Sequence, residues 1–320
     1  MMNSTNFYFK LVHYFDLGVY KYLLFTFILS FYILIVSVNV FLIVIICMNR
    51  SLHEPMYLFL VSLFANELCG STGLFPFLLV QILSDLHTVS ASLCLLQVFC
   101  VYSYVGVGFF NLTIMSYDRY LAICRPLQYN TLMTPKKVAT LTGVSWGYSL
   151  CFIAFMVRLS ARLQLCGNII NNVYCDNYSL VKLACSDTTA NNIYGLAYTF
   201  TAMLGLVILI VFSYSKILKV CFSGSKQTRQ KAVSTCIPHL ASLLNFSCGC
   251  FFEIVQSRFN MSNVPVLLRI FLSLYWICCQ PLFNPVLYGL KMTKIHSEDT
   301  WKKVLWSEET RMELYVHQTR

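Results

Sequence analysis

The stretch Tyr22–Met48, YLLFTFILSFYILIVSVNVFLIVIICM, holds no Asp, Glu, Lys or Arg. At about 1.5 Å per residue, a helix of this length crosses a hydrocarbon core of about 30 Å. It is longer than the apolar part of a secretory leader, and no small-residue cleavage site follows it. We read it as a spanning helix. Further apolar blocks lie at about Met56–Leu83, Val89–Tyr117, Val138–Val157, Ile193–Ser215, Ala232–Val255 and Val266–Leu290. Each reaches the ~17–25 residues that a span requires. Ten-residue segments of alternating polarity, the mark of a membrane barrel, are absent. Lipid offers the backbone no water, so each block must close its hydrogen bonds within itself. The expected fold is an all-α membrane protein, a bundle of seven transmembrane helices.

Composition agrees. Of 320 residues, 58% are hydrophobic and only 11% charged, against about a quarter charged in soluble domains. Mean hydropathy is +0.66. The net charge of +10 does not point to nucleic acid, because Lys and Arg sit in short polar stretches between apolar blocks rather than in a basic stripe. The 15 cysteines form no CxxC pair and no Cys/His ligand spacing. Several, such as Cys278 and Cys279, fall inside apolar blocks, where Cys acts as a small hydrophobe. No HExxH, GxSxG or grouped carboxylates suggest an enzyme, and no inverted repeat suggests a transporter. No cofactor is implied.

Charge predicts the orientation. Arg50 follows the first block, and Arg125, Lys136 and Lys137 follow the third. Lys216, Lys219, Lys226, Arg229 and Lys231 separate the fifth from the sixth, and Lys291, Lys294, Lys302 and Lys303 follow the seventh. The other side carries fewer: Lys10, Lys21, Arg158, Arg162, Lys182 and Arg258. The positive-inside rule then divides the chain into an extracellular N-terminus (1–21), a membrane domain (22–290) and a cytoplasmic tail (291–320) with a short amphipathic helix. Asn3-Ser4-Thr5 is a glycosylation sequon on the extracellular side. Asn177-Tyr178-Ser179 and Asn260-Met261-Ser262 are weaker candidates there.

Two stretches carry local chemistry. Met115-Ser116-Tyr117-Asp118-Arg119-Tyr120-Leu121-Ala122-Ile123-Cys124-Arg125-Pro126-Leu127 puts an acid beside a base at a membrane boundary. Such a pair can hold a cation in reserve, or merely snorkel. Pro281-Leu282-Phe283-Asn284-Pro285-Val286-Leu287-Tyr288-Gly289 loosens a helix near its end, and Asn284 can bond the freed backbone groups. Asn39 and Glu67 are further polar residues expected in the bilayer, and with Asn284 they can form one network.

Together these stretches resemble the rhodopsin-like G-protein-coupled receptors and, within them, the olfactory receptors. Leu52-His53-Glu54-Pro55-Met56-Tyr57, Ser213-Tyr214 and Lys231-Ala232-Val233-Ser234-Thr235-Cys236-Ile237-Pro238-His239-Leu240 complete the set, in the family's order. The resemblance implies a plasma-membrane receptor for a small-molecule odorant, coupled to a stimulatory, olfactory-type G protein that raises cyclic AMP. It assigns activation roles to Asp118, Arg119, Tyr120, Tyr214, Asn284, Pro285 and Tyr288. Cys94, Cys166, Cys175 and Cys185 allow three pairings; the resemblance selects Cys94–Cys175 and Cys166–Cys185. The family's sodium site commonly uses two acids, but Glu67 stands where an Asp is usual and Gly108 where a Glu often is. No metal is therefore assigned. Ser247 replaces a usual aromatic.

By the same resemblance the ligand lies between helices three, five, six and seven. The positions are Val101, Tyr102, Val105 and Gly106, then Tyr198, Thr199 and Ala202, then Cys250, Phe251 and Ile254. The set is mostly apolar with a few hydroxyls, as small-molecule sites are. Val101 replaces the Asp that holds an amine in aminergic receptors. The last block has no lysine before Lys291 for a retinal Schiff base. Glu253 and Arg269 near the outer face can touch a polar ligand or pair with each other. A receptor of the same architecture for a lipid or peptide is the alternative.

Overall fold

The computed structural model describes residues 7–12, 18–198, 200, 204–223, 226–258, 264, 265, 268, 271, 274, 275 and 278–290. The elements begin with β1 (Tyr8–Leu11), α1 (Tyr20–Met48), α2 (Pro55–Leu83), β2 (Thr88–Ser90) and α3 (Ala91–Cys124). Then come α4 (Tyr129–Leu132), α5 (Pro135–Ala161), β3 (Ile169–Ile170), α6 (Asn177–Lys182), α7 (Thr189–Tyr198), α8 (Gly205–Ser223) and α9 (Lys226–Arg258). A last helical stretch, α10, covers 278–290.

Helix starts follow their local chemistry. The Ser90 hydroxyl accepts from the Leu93 amide at 3.4 Å and caps α3, and Thr134 accepts from Lys137 at 3.3 Å ahead of Pro135 in α5. Each satisfies an amide that has no partner within its helix. Among the described residues, α1, α2, α3 and α5 are long and apolar enough to cross a membrane, and α9 carries the shorter apolar stretch Cys236–Phe252. The third block differs from expectation at both ends. Val89 belongs to β2, and the helix runs on through the Asp118–Arg119 pair to Cys124. The fifth block is divided between α7 and α8, with a wider helical turn at Phe200 and Leu204. The tail, 291–320, lies outside the described residues.

Small residues let the helices approach. A methyl group at Gly70 of α2 would run into the Tyr104 ring of α3, and one at Gly73 would lie 2.6 Å from Cys100 Cβ. Lipid supplies no hydrophobic drive between helices, so close packing of this kind holds them.

One end of the bundle is closed by a sheet in the order β2-β1-β3. Phe9 pairs with Val89 antiparallel, and Leu11 pairs with Ile170 parallel. The period of two turns Phe9 and Leu11 inward, each 1% exposed, onto Val98, Ile153 and Tyr198. Two disulfides tie the same end: Cys94–Cys175 fastens the segment before α6 to the start of α3, and Cys166–Cys185 closes a shorter loop.

Candidate functional site: an apolar cluster, a polar centre and an acid–base pair

At the end of α3 away from the sheet, Asp118 is fully buried. Arg119 donates to its Oδ2 from Nε at 2.9 Å and again from the guanidinium tip. Its Oδ1 accepts from the Tyr129 hydroxyl at 2.7 Å. Tyr129 lies on α4, beyond the turn at Pro126, and its part in the pair was not foreseen. Burial first, and then the Asp118 carboxylate, raise the pKa of its phenol, so it stays in the protonated form that donates. Tyr120, half-buried, meets Ile210, Tyr214, Ile217 and Cys236, which joins α3 to α8 and α9 here. Tyr288 is buried, and its hydroxyl lies 3.0 Å from His239 Nδ1.

The middle of the bundle is polar. Pro285 has no amide hydrogen for the Pro281 carbonyl, four residues back. Asn39 fills that gap, donating from Nδ2 to the Pro281 oxygen at 2.8 Å and to Ile35 at 2.9 Å. Asn284, expected to bond the freed groups, instead donates to Glu67 Oε1 at 2.7 Å. Glu67 Oε2 accepts from the Tyr104 hydroxyl at 2.8 Å. Asn39 thus holds the backbone of the helix that carries Asn284, and Tyr104 completes the centre on Glu67.

The residues do not fit the sodium site that the family resemblance brings to mind. Both Glu67 oxygens are engaged by neutral donors, and Gly108 brings no second acid. A Cβ at Gly108 would lie 2.8 Å from Phe246 Cζ, so an aromatic ring fills the space a second carboxylate would need. Phe246 stands edge-on to Tyr104 and Phe109, with centroids 5.9 and 4.8 Å away. It is the buried aromatic of α9 next to Ser247.

Of the predicted ligand positions, Val101, Tyr102, Val105 and Cys250 meet in one apolar cluster with Tyr104, Leu206 and Phe246. Gly106 faces another way: a methyl group there would lie 2.6 Å from the Tyr198 hydroxyl and 3.1 Å from Ser149 Oγ. Tyr198 itself is buried and stacks on Phe152 at 4.9 Å. Phe251 is 62% exposed and is not brought into the cluster. Thr199 and Ala202 lie outside the described residues, as do Asn3, Asn260 and Arg269 and the side chains of Glu253 and Ile254. Asn177 is buried and accepts from the Ser160 hydroxyl at 2.6 Å, which closes that sequon to modification in the folded chain.

A cavity of about 1020 Å³ lies elsewhere, between α2, α3 and α5, lined among others by Cys69, Leu96, Cys100 and Trp146. It contains none of the predicted ligand positions, and exposed Val80, Leu93 and Leu96 form part of its wall. The cavity meets the Val101 cluster at Tyr104, which belongs to both.

Long apolar helices around a polar centre and a buried acid–base pair fit a helical membrane bundle. The comparisons make the class specific. Residues 27–307 match the family model of olfactory receptors. The chain is 34% identical to human olfactory receptor 52D1 over 270 residues, covering 84% of this chain and 85% of that protein. It is 36% identical to human olfactory receptor 52B2 over 267 residues, 82% of each. With mouse olfactory receptor 8U3 the identity is 33% over 279 residues, 87% of this chain and 86% of the relative. The chain belongs to the olfactory receptor family, and it is an odorant receptor, not an enzyme.

Proposed function

We propose that the chain crosses the plasma membrane seven times, with its N-terminus outside, and couples odorant binding to a stimulatory, olfactory-type G protein that raises cyclic AMP. The spans are α1, α2, α3, α5, the run through α7 and α8, α9, and the segment ending in α10. The observation that supports coupling is the layout of α3. Val101 and Val105, in its first half, belong to the apolar cluster, while the Asp118–Arg119 pair sits near its end. One rigid element therefore touches both the ligand region and the face that meets a G protein.

The ligand is a small, neutral or weakly polar molecule, held by apolar burial at ~25 cal/mol per Å². The hydroxyl of Tyr102, which packs on the cluster, orients it. Affinity is modest, because few atoms are buried. A panel of neutral odorants, read by cyclic AMP in cells bearing the chain at their surface, tests this. Dose-dependent responses to neutral compounds are expected. A response confined to amino acids or other doubly charged solutes would shift the site to Glu253 and Arg269.

A further inference from the structure

Tyr275 starts a run of side-chain hydrogen bonds that ends on Glu67. Its hydroxyl donates to Asn245 Oδ1 at 2.8 Å. Asn245 Nδ2 donates to Gln280 Oε1. Gln280 Nε2 donates to Asn284 Oδ1 at 3.3 Å, and Asn284 Nδ2 to Glu67 Oε1 at 2.7 Å. Ser242 braces the same step, donating to Asn284 Oδ1 at 2.6 Å. Each amide accepts on oxygen and donates from nitrogen, so three amides stand in file with their dipoles aligned toward an acid. Aligned bonds polarise one another, and a buried file of this kind is stable only while every member is satisfied.

The two ends differ. Gln280, Asn284 and Glu67 are buried, at 1%, 0% and 1% exposure. Tyr275 and Asn245 are half-buried, and the Tyr275 ring packs on the cluster of Val101, Phe246 and Cys250. A phenol gives one hydrogen and keeps acceptor capacity, so Tyr275 can exchange Asn245 for another oxygen. Asn284, by contrast, has no such freedom.

We propose that Tyr275 is a specificity-determining residue for the odorant and the head of a relay to the polar centre. An oxygen-bearing ligand on the apolar cluster draws the Tyr275 hydroxyl from Asn245. The lost bond weakens the file that holds Asn284 on Glu67 and so frees α10 to shift against α2. The specificity role rests on the proposed ligand region; the relay does not.

The relay is tested on the purified full chain in lipid nanodiscs, by thermal unfolding of wild type, Tyr275→Phe, Asn284→Ala and the double variant. Tyr275 and Asn284 share no bond, and independent sites would lower the melting temperature additively. The relay requires the double variant to lose no more than the worse single one. Additive losses overturn it. If Asn284→Ala is not recovered folded, Glu67→Gln takes its place under the same criterion. The specificity role is tested with straight-chain methyl ethers and the alkanes of matching length as probes in the cyclic AMP assay. Tyr275→Phe should reduce the preference for ethers about tenfold, the worth of one neutral hydrogen bond, with alkane responses unmoved. A retained preference, or a wild-type chain that answers both classes alike, overturns this role. Silence to every probe overturns the specificity role, while the melting data still decide the relay.

Discussion

Asp118 has both oxygens engaged, one by Arg119 and one by Tyr129. Tyr129→Phe removes one donor and leaves the ring, so Arg119 is held less firmly. The expected result is a rise in ligand-independent cyclic AMP; an unchanged baseline counts against a latch. Arg119→Ala should abolish agonist-driven cyclic AMP with surface expression mostly intact, and a normal response would refute the pair's role. The adjacency of Asp118 and Arg119 is plain in the sequence. Tyr129 is not, because it stands 11 residues away across a turn and no spacing rule links a loop tyrosine to a helix acid. Gly106 is similar: nothing in the chain announces that Tyr198 lies against it. Gly106→Ala should destabilise the fold by ~1–3 kcal/mol through overpacking, seen as reduced surface expression. Adding Tyr198→Phe should restore it.

At the scale of elements, the end of the bundle that carries the sheet is held by pieces that are weak alone. β1 has four residues and is secured by β2, β3 and the burial of Phe9 and Leu11. The two disulfides differ in reach, closing sequence separations of 81 and 19 residues. A longer loop restrains the unfolded chain more, and a native bridge typically contributes ~2–5 kcal/mol. Cys94→Ser or Cys175→Ser should therefore block surface delivery, and Cys166→Ser should reduce it less. Flow cytometry on intact cells compares them; equal losses would contradict the loop-length argument. The long apolar helices α1, α2, α3 and α5 were legible because apolar length is a local property. The division between α7 and α8 was not, since hydropathy is continuous across it. Nor was β1, whose partners lie far along the chain and whose four residues are too few to carry a periodic signal.

For the whole molecule, the proposed orientation and pocket make separate demands. An epitope tag at the N-terminus should be labelled on intact cells, and one at the C-terminus only after permeabilisation; the reverse pattern would overturn the topology. Val105→Phe should weaken every agonist by filling the cluster. Phe251→Ala should leave dose-response curves unmoved, because that ring is largely exposed. If the second change proves the stronger, the ligand lies outside the cluster.

Composition and apolar length by themselves determined that this chain is a helical membrane bundle, because a span in lipid must satisfy its own backbone whatever surrounds it. The motifs, read in order, determined the family and singled out Asp118, Arg119, Asn284 and Tyr288. Which of them touch was decided only by the tertiary structure. Asn284 and Glu67 are 217 residues apart, and Asn39 and Pro281 are 242 apart. A single sequence records no such distance. It shows that polar groups lie in the bilayer and must find partners. The packing of α2, α3, α9 and α10 chose them: Asn39 for the carbonyl that Pro285 leaves free, Tyr104 and Asn284 for the two oxygens of Glu67, and Phe246 for the space beside Gly108.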